Sequence, residues 1–139
     1  MIQRMQSIWL LLAAIAAFLT LKFSFYSGNI VNADLTKTFT HFNAASKLPT
    51  LIFSVIVGVA STVAIFLYKN RKLQMRTALA AMLISLITIL LYFNYEMHLP
   101  ESSFDLTALI SLVIPVLLFL AVRGIYKDQK LVKSLDRLR

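Results

Sequence analysis

Four long apolar runs separated by short polar stretches set the pattern of the chain: residues 8–26, 48–68, 77–95 and 104–122. Each has about the 20 residues a helix needs to cross a hydrocarbon core of roughly 30 Å. Apolar residues fill these runs in unbroken blocks and do not recur as a single stripe, which argues against a water-soluble helical bundle. The pattern predicts an all-α fold, a four-helix transmembrane bundle in one domain spanning 1–139. The stretch 123–139 reads differently. Leu131, Leu135 and Leu138 align on a helical wheel beside Ile125 and Val132, with Lys130, Lys133 and Arg137 on the other side. That is a short amphipathic C-terminal helix suited to a membrane surface, with Gly124 as the turn that lays it there.

Charge then orients the chain. Lys69-Asn70-Arg71-Lys72-Leu73-Gln74-Met75-Arg76 puts four cations into eight residues between the second and third runs, and short Lys/Arg-rich loops stay on the cytoplasmic side. With this loop and both termini inside, the inner face holds eleven of the fourteen basic residues: Arg4, Lys69, Arg71, Lys72, Arg76, Arg123, Lys127, Lys130, Lys133, Arg137 and Arg139. Lys22, Lys37 and Lys47 stay outside with four of the six acids, which gives +9 inside and −1 outside. The inner cations, Arg123 apart, are the candidate contacts for anionic headgroups or a protein partner. An even number of spans is required, in agreement with the four runs.

Composition narrows the class further. Hydrophobic residues make up 59% and charged residues 14%, well below the quarter usual in soluble domains, and mean hydropathy is +0.78. The net charge of +8 follows the topology, and no nucleic-acid-binding module accompanies it. The absence of cysteine excludes disulfides, thiol nucleophiles and thiolate metal sites.

Several residues carry local expectations. The first run also fits a secretory signal, with Ala14-Ile15-Ala16 resembling a cleavage site, but its continuation past the alanines predicts a retained span. Lys22 is expected to snorkel beside Phe23, Phe25 and Tyr26. Residues 27–47 read as a polar outer loop, with Phe39 and Phe42 at headgroup level and His41 in solvent. Pro49 fits the opening turn of the second helix. Ser54, Gly58 and Thr62, four apart, form a small-residue face matched on the third helix by Ala78, Ala81 and Ser85, which predicts close packing between helices of the same chain. Trp9 and Tyr68 on one side, and Tyr92 and Tyr95 on the other, suggest two aromatic belts. In the loop 96–105, Glu96, His98, Glu101 and Asp105 match no established metal motif and read as an ordinary acidic outer loop, the lesser alternative being a cation site of a membrane-bound metal-dependent enzyme. Asp105 or Ser103 is expected to cap the fourth helix. Pro115 should bend that helix, with the Ser111 hydroxyl satisfying the freed carbonyl.

The interior carries little chemistry. No Asp, Glu, Lys, Arg or His occurs in 51–68, 77–95 or 106–122, whereas transporters and pumps place such groups at mid-depth. Interior serines have no base within reach. Neither catalysis, a cofactor nor a metal is expected.

The two ends carry a resemblance. Met1-Ile2-Gln3-Arg4-Met5-Gln6-Ser7 followed by Leu10-Leu11-Leu12-Ala13-Ala14, and the stretch from Arg123-Gly124-Ile125-Tyr126-Lys127-Asp128 to Ser134-Leu135-Asp136-Arg137-Leu138-Arg139, resemble an uncharacterised bacterial family of small four-span integral membrane proteins, a domain of unknown function. The resemblance implies architecture and a bacterial inner-membrane location, and supplies no activity. The expectation is a non-enzymatic accessory or scaffold subunit with a basic cytoplasmic surface. Its partners would be anionic lipid and a membrane protein or a second copy of the chain, with no nucleic acid. The alternative is a small oligomeric channel or transporter whose Ser/Thr faces line a path.

Overall fold

The structure, a computed structural model, describes residues 5–31, 37–96 and 102–136. In chain order these form α1 (Met5–Leu19), β1 (Ser24–Val31), β2 (Lys37–Asn43), α2 (Leu48–Phe66), α3 (Arg71–Glu96), β3 (Ser102–Phe104) and α4 (Ala108–Asp136). Helix α1 packs on α2 and α4, and α3 packs on the same two. Four helices thus share one core.

That core is built from small side chains. Ala13, Ala16, Ala17, Ala64, Ala78, Ala81 and Ala121 are buried with Leu10, Val57, Ile114, Leu118 and Ile125. Large apolar side chains point outward instead: Leu11, Ile15, Phe18, Leu83, Leu90, Leu109 and Phe119 are all exposed. Water would penalise so much apolar surface, whereas in lipid, close helix approach over small residues is the available source of stabilisation. Among the described residues, three helices are long and apolar enough to cross a membrane: Leu48–Lys69, Arg71–Tyr95 and Ala108–Ser134. Shorter, at 15 residues, α1 runs antiparallel to α4 over a common depth. Gln6 bonds to Gly124 at one end, and beyond the other end Phe25 accepts a bond from the Asp105 amide.

The chain is not all-α. β1 pairs antiparallel with β2 from Ser24↔Asn43 to Val31↔Lys37, and with β3 over Tyr26↔Phe104 to Gly28↔Ser102, in the order β2-β1-β3. Most of the stretch read as a polar loop is therefore a hairpin. The first apolar run does not continue as a helix to 26. It leaves the helix after Leu19 through turns in which the amides of Leu21 and Lys22 bond to the carbonyls of Phe18 and Leu19. Lys22 and Phe23 are exposed in this turn, while Phe25 and Tyr26 are buried in the sheet. Their rings roof the helix ends. Phe25 stacks on Tyr92 with centroids 4.4 Å apart, and Tyr26 stacks on Phe42 at 4.9 Å. Tyr92 is therefore a core residue and no part of an interfacial belt. Tyr95 lies under the Lys47 ammonium, 5.9 Å from the ring centroid.

Helix boundaries depart from the apolar runs in informative places. Pro49 sits in the first turn of α2, as its missing N–H favours. The basic loop is narrower than its charges suggest. A 3-10 turn, Leu67–Lys69, ends α2, and α3 begins at Arg71, so Arg71, Lys72 and Arg76 are helical. Helix α4 starts after β3 and continues without interruption through Pro115 to Asp136. No separate C-terminal helix exists among the described residues, and Gly124 is not a turn. A Cβ there would lie 2.9 Å from Gln6 Cγ, so this glycine admits the Gln6 side chain against the helix backbone.

Asp105 and Ser103 do not cap α4 with their side chains. Asp105 accepts bonds from the Ser24 and Ser27 hydroxyls, the latter at 2.8 Å. Ser103 donates to the Ser27 carbonyl at 3.4 Å. The Ala108 amide reaches the Asp105 carbonyl at 2.9 Å, which closes the first turn through the backbone.

Candidate functional site

Polar groups collect at three levels of the fold. At the sheet end, the Asp105 carboxylate holds β1 to the start of α4 through Ser24 and Ser27, and Thr107 donates its hydroxyl to the Ser24 carbonyl. A carboxylate accepting two hydroxyl protons is a charge-assisted fastening. This use of Asp105 leaves it unavailable as a cap. Of the other groups in the 96–105 loop, His98 and Glu101 lie outside the described residues. No group of three or more His, Cys, Asp or Glu able to hold a metal occurs among those described.

Between the sheet and the opposite end, hydroxyls from α2, α3, α4 and the turn after α1 converge. Thr20, which follows α1, meets Ser54 of α2, Ser85, Thr88 and Tyr92 of α3, and Ser111 of α4 around a cavity of about 10 Å³. That is room for a single water. Thr20, Ser85 and Thr88 donate to carbonyls of their own segments, Ala17, Met82 and Ile84, as isolated hydroxyls in helices commonly do. Ser111 faces this cavity, and no bond from it to the carbonyl freed by Pro115 is present. The Tyr92 hydroxyl is buried without a hydrogen bond of ordinary geometry, although Ser54 lies close enough to interact with it.

The predicted packing residues divide between this cavity and the helix seams. Ser54 and Ser85 are buried at the cavity. Gly58 receives the Phe18 ring, since a Cβ there would sit 2.8 Å from Phe18 Cζ. Ala81 is fully buried in the shared core. Thr62, half-buried, returns its hydroxyl to the Gly58 carbonyl at 2.8 Å. Gly58 thus lies against α1, and Ala81 lies in the core that the four helices share.

The third level, at the end opposite the sheet, gathers the cations. Arg71 and Lys72 at the start of α3 face Tyr126, Gln129, Lys130, Val132 and Lys133 of α4 across a groove of about 450 Å³, a volume within the range of small-molecule sites. The loop and the tail, far apart in sequence, form one surface. Among the described residues no ion pair neutralises these four cations. Asp128, which lies between Tyr126 and Gln129 in sequence, is engaged elsewhere. It accepts a bond from Gln6 Nε2, which also donates to the Gly124 carbonyl at 3.2 Å. Of the remaining candidate contacts, Lys69, Arg76 and Lys127 are exposed and do not line the groove. Arg4, Arg137 and Arg139 lie outside the described residues.

Gln6 and Asp128 are the residues the sequence pattern conceals. A glutamine at the edge of an apolar run reads as a boundary, and an acid among cations reads as surface. The one usable signal is Gln6 on the same helical face as Leu10, Ala13 and Ala17, all buried. No curated protein and no solved structure matches the chain. The protein-family model described as a domain of unknown function, DUF4293, matches residues 2–138, and the protein belongs to that family.

Proposed function

We propose that the protein is a non-enzymatic, multi-pass protein of the bacterial inner membrane, a four-helix transmembrane bundle with both termini cytoplasmic, and that it serves as an accessory or scaffold subunit through its basic inner surface. The observation that carries the reading is the groove in which Arg71 and Lys72 meet Lys130 and Lys133. Two clusters of cations separated by a whole helical hairpin come together at one end, while the interior is closed over hydroxyls and alanines. Asp105, the acid described at the sheet end, is turned inward to Ser24 and Ser27. Charge of one sign concentrated at one end is what the positive-inside rule requires of the cytoplasmic face.

The channel or transporter alternative finds less support. The Ser/Thr faces that would line a path turn toward one another around about 10 Å³, less than a permeating solute needs. Solute flux through proteoliposomes above protein-free controls would favour that alternative.

Two experiments test the main reading. Single cysteines placed at Lys72 and Lys133, in a chain that has none of its own, should resist a membrane-impermeant maleimide in intact cells and react after permeabilisation. Crosslinking in native membranes followed by purification should recover a partner, and Lys130→Glu/Lys133→Glu should lose it. Labelling from outside, or a lone protomer unaffected by the charge reversal, would refute the assignment.

A further inference from the structure

We propose that the groove between the start of α3 and the far part of α4 is a defined site for the phosphodiester headgroup of an anionic phospholipid, holding one lipid per chain. This rests on the reading of that end as the boundary between membrane and cytoplasm.

Charge is the first argument. Arg71, Lys72, Lys130 and Lys133 line one groove, and the adjacent acid, Asp128, is held by Gln6. The four cations, which form no ion pair among the described residues, repel one another, and an anion placed among them relieves that cost. The opening amides of α3 add a smaller contribution of the same sign, because the first N–H groups of a helix lack intrahelical partners.

Depth is the second. At 1.5 Å per residue, Arg71 lies roughly 9 Å before the apolar run that starts at Thr77, and Lys130 roughly 12 Å past Val122. Long side chains at those positions reach back into the headgroup layer.

The third argument separates a lipid from a free anion. The groove wall includes Tyr126 and Val132, both exposed, and Leu131 is exposed beside it. Further along the same sides of α3 and α4, Leu86, Val116 and Phe119 are also exposed. A site for a soluble phosphate has no use for apolar surface continuing from its rim, whereas the acyl chains of a lipid would lie along it. Lys130 also borders a second groove with Lys127, Leu131 and Ser134, so the apolar and cationic surfaces interleave on both sides of it.

The test is native mass spectrometry of the full chain in non-ionic detergent, titrated with phosphatidylglycerol or phosphatidylcholine. One phosphatidylglycerol should be retained under activation that strips phosphatidylcholine. Arg71→Gln/Lys130→Gln should weaken that retention about 30-fold, taking each cation near an anionic headgroup at its usual worth. Lys69→Gln/Arg76→Gln removes the same charge from exposed positions outside both grooves and should weaken it less than about threefold. Thermal unfolding in lipid-free detergent shows whether each variant keeps its fold. If the first pair does not, Lys133→Gln alone carries the comparison, with about a fivefold loss expected. Equal retention of the two lipids, equal losses from the two pairs, or displacement of phosphatidylglycerol by millimolar inorganic phosphate would each overturn the proposal. Because the readout uses purified protein, its failure leaves the topology reading standing, and an inverted topology in cells would not abolish a retained lipid.

Discussion

Replacing Gly124 by alanine gives a prediction whose sign depends on one contact. In the interior of α4 the substitution alone should stabilise, since glycine is about 1 kcal/mol less favourable than alanine in a helix. Here the new Cβ would lie 2.9 Å from Gln6 Cγ, near the root of a buried side chain that cannot yield by moving only its tip. Displacing Gln6 breaks its bond to the Gly124 carbonyl and its bond to the Asp128 carboxylate. The first is worth about 1 kcal/mol and the charge-assisted second about 2 kcal/mol. The loss of about 3 kcal/mol exceeds the gain of about 1, so Gly124→Ala should destabilise by about 2 kcal/mol. In a Gln6→Ala background the obstruction is gone, and the same substitution should stabilise by about 1 kcal/mol. Reversible unfolding in mixed micelles, followed by helicity for the four proteins of the double-mutant cycle, measures a coupling of about 3 kcal/mol. If Gly124→Ala stabilises in both backgrounds, Gln6 does not pack against Gly124 and the account of this helix pair is wrong.

Other substitutions probe the remaining levels. Asp105→Ala should loosen the sheet by about 2 kcal/mol, since it deprives Ser24 and Ser27 of their acceptor, and faster amide exchange across β1 would register it. Tyr92→Phe removes a buried hydroxyl without an ordinary hydrogen bond and should be neutral or stabilising by about 1 kcal/mol; a clear loss in the same unfolding assay would mean that Ser54 or a water in the cavity satisfies it. Phe25→Ala, which removes the ring stacked on Tyr92, should cost about 3 kcal/mol or more. Gly58→Ala should cost little, because the Phe18 ring is partly exposed and can swing outward. Gly58→Leu should separate α1 from α2 and cost about 2 kcal/mol by overpacking.

The apolar runs are legible because lipid imposes a composition on every residue that faces it; they overlap α2, the greater part of α3 and the first half of α4. The hairpin is harder to see, since Phe25, Tyr26, Ile30 and Val31 extend the apolar character of the first run across the point where the helix stops. The signal was nonetheless present in Thr38-Phe39-Thr40-His41-Phe42, a short run of β-branched and aromatic residues, with Asn32 and Asp34 between it and β1. The groove was half legible. Charge places the loop and the tail on one face, but only the packing of α3 against α4 brings Arg71 and Lys72 opposite Lys130 and Lys133. The amphipathic pattern of the tail also misleads, because a helix with an apolar face reads the same whether it lies flat on a membrane or continues from a span.

The fastenings of α1 have a consequence for biosynthesis. Gln6 finds its acceptors 118 and 122 positions later in the chain, on α4. At 5–20 residues per second, α1 waits roughly 6 to 24 s after its own synthesis before that helix emerges. Through that interval its alanine face rests on α2 alone, and β1 lacks the third strand that completes its sheet. The fastening of α1 is therefore completed only once α4 has been made, and a nascent chain halted before Ala108 would hold α1, α2 and α3 without the helix that secures the first of them.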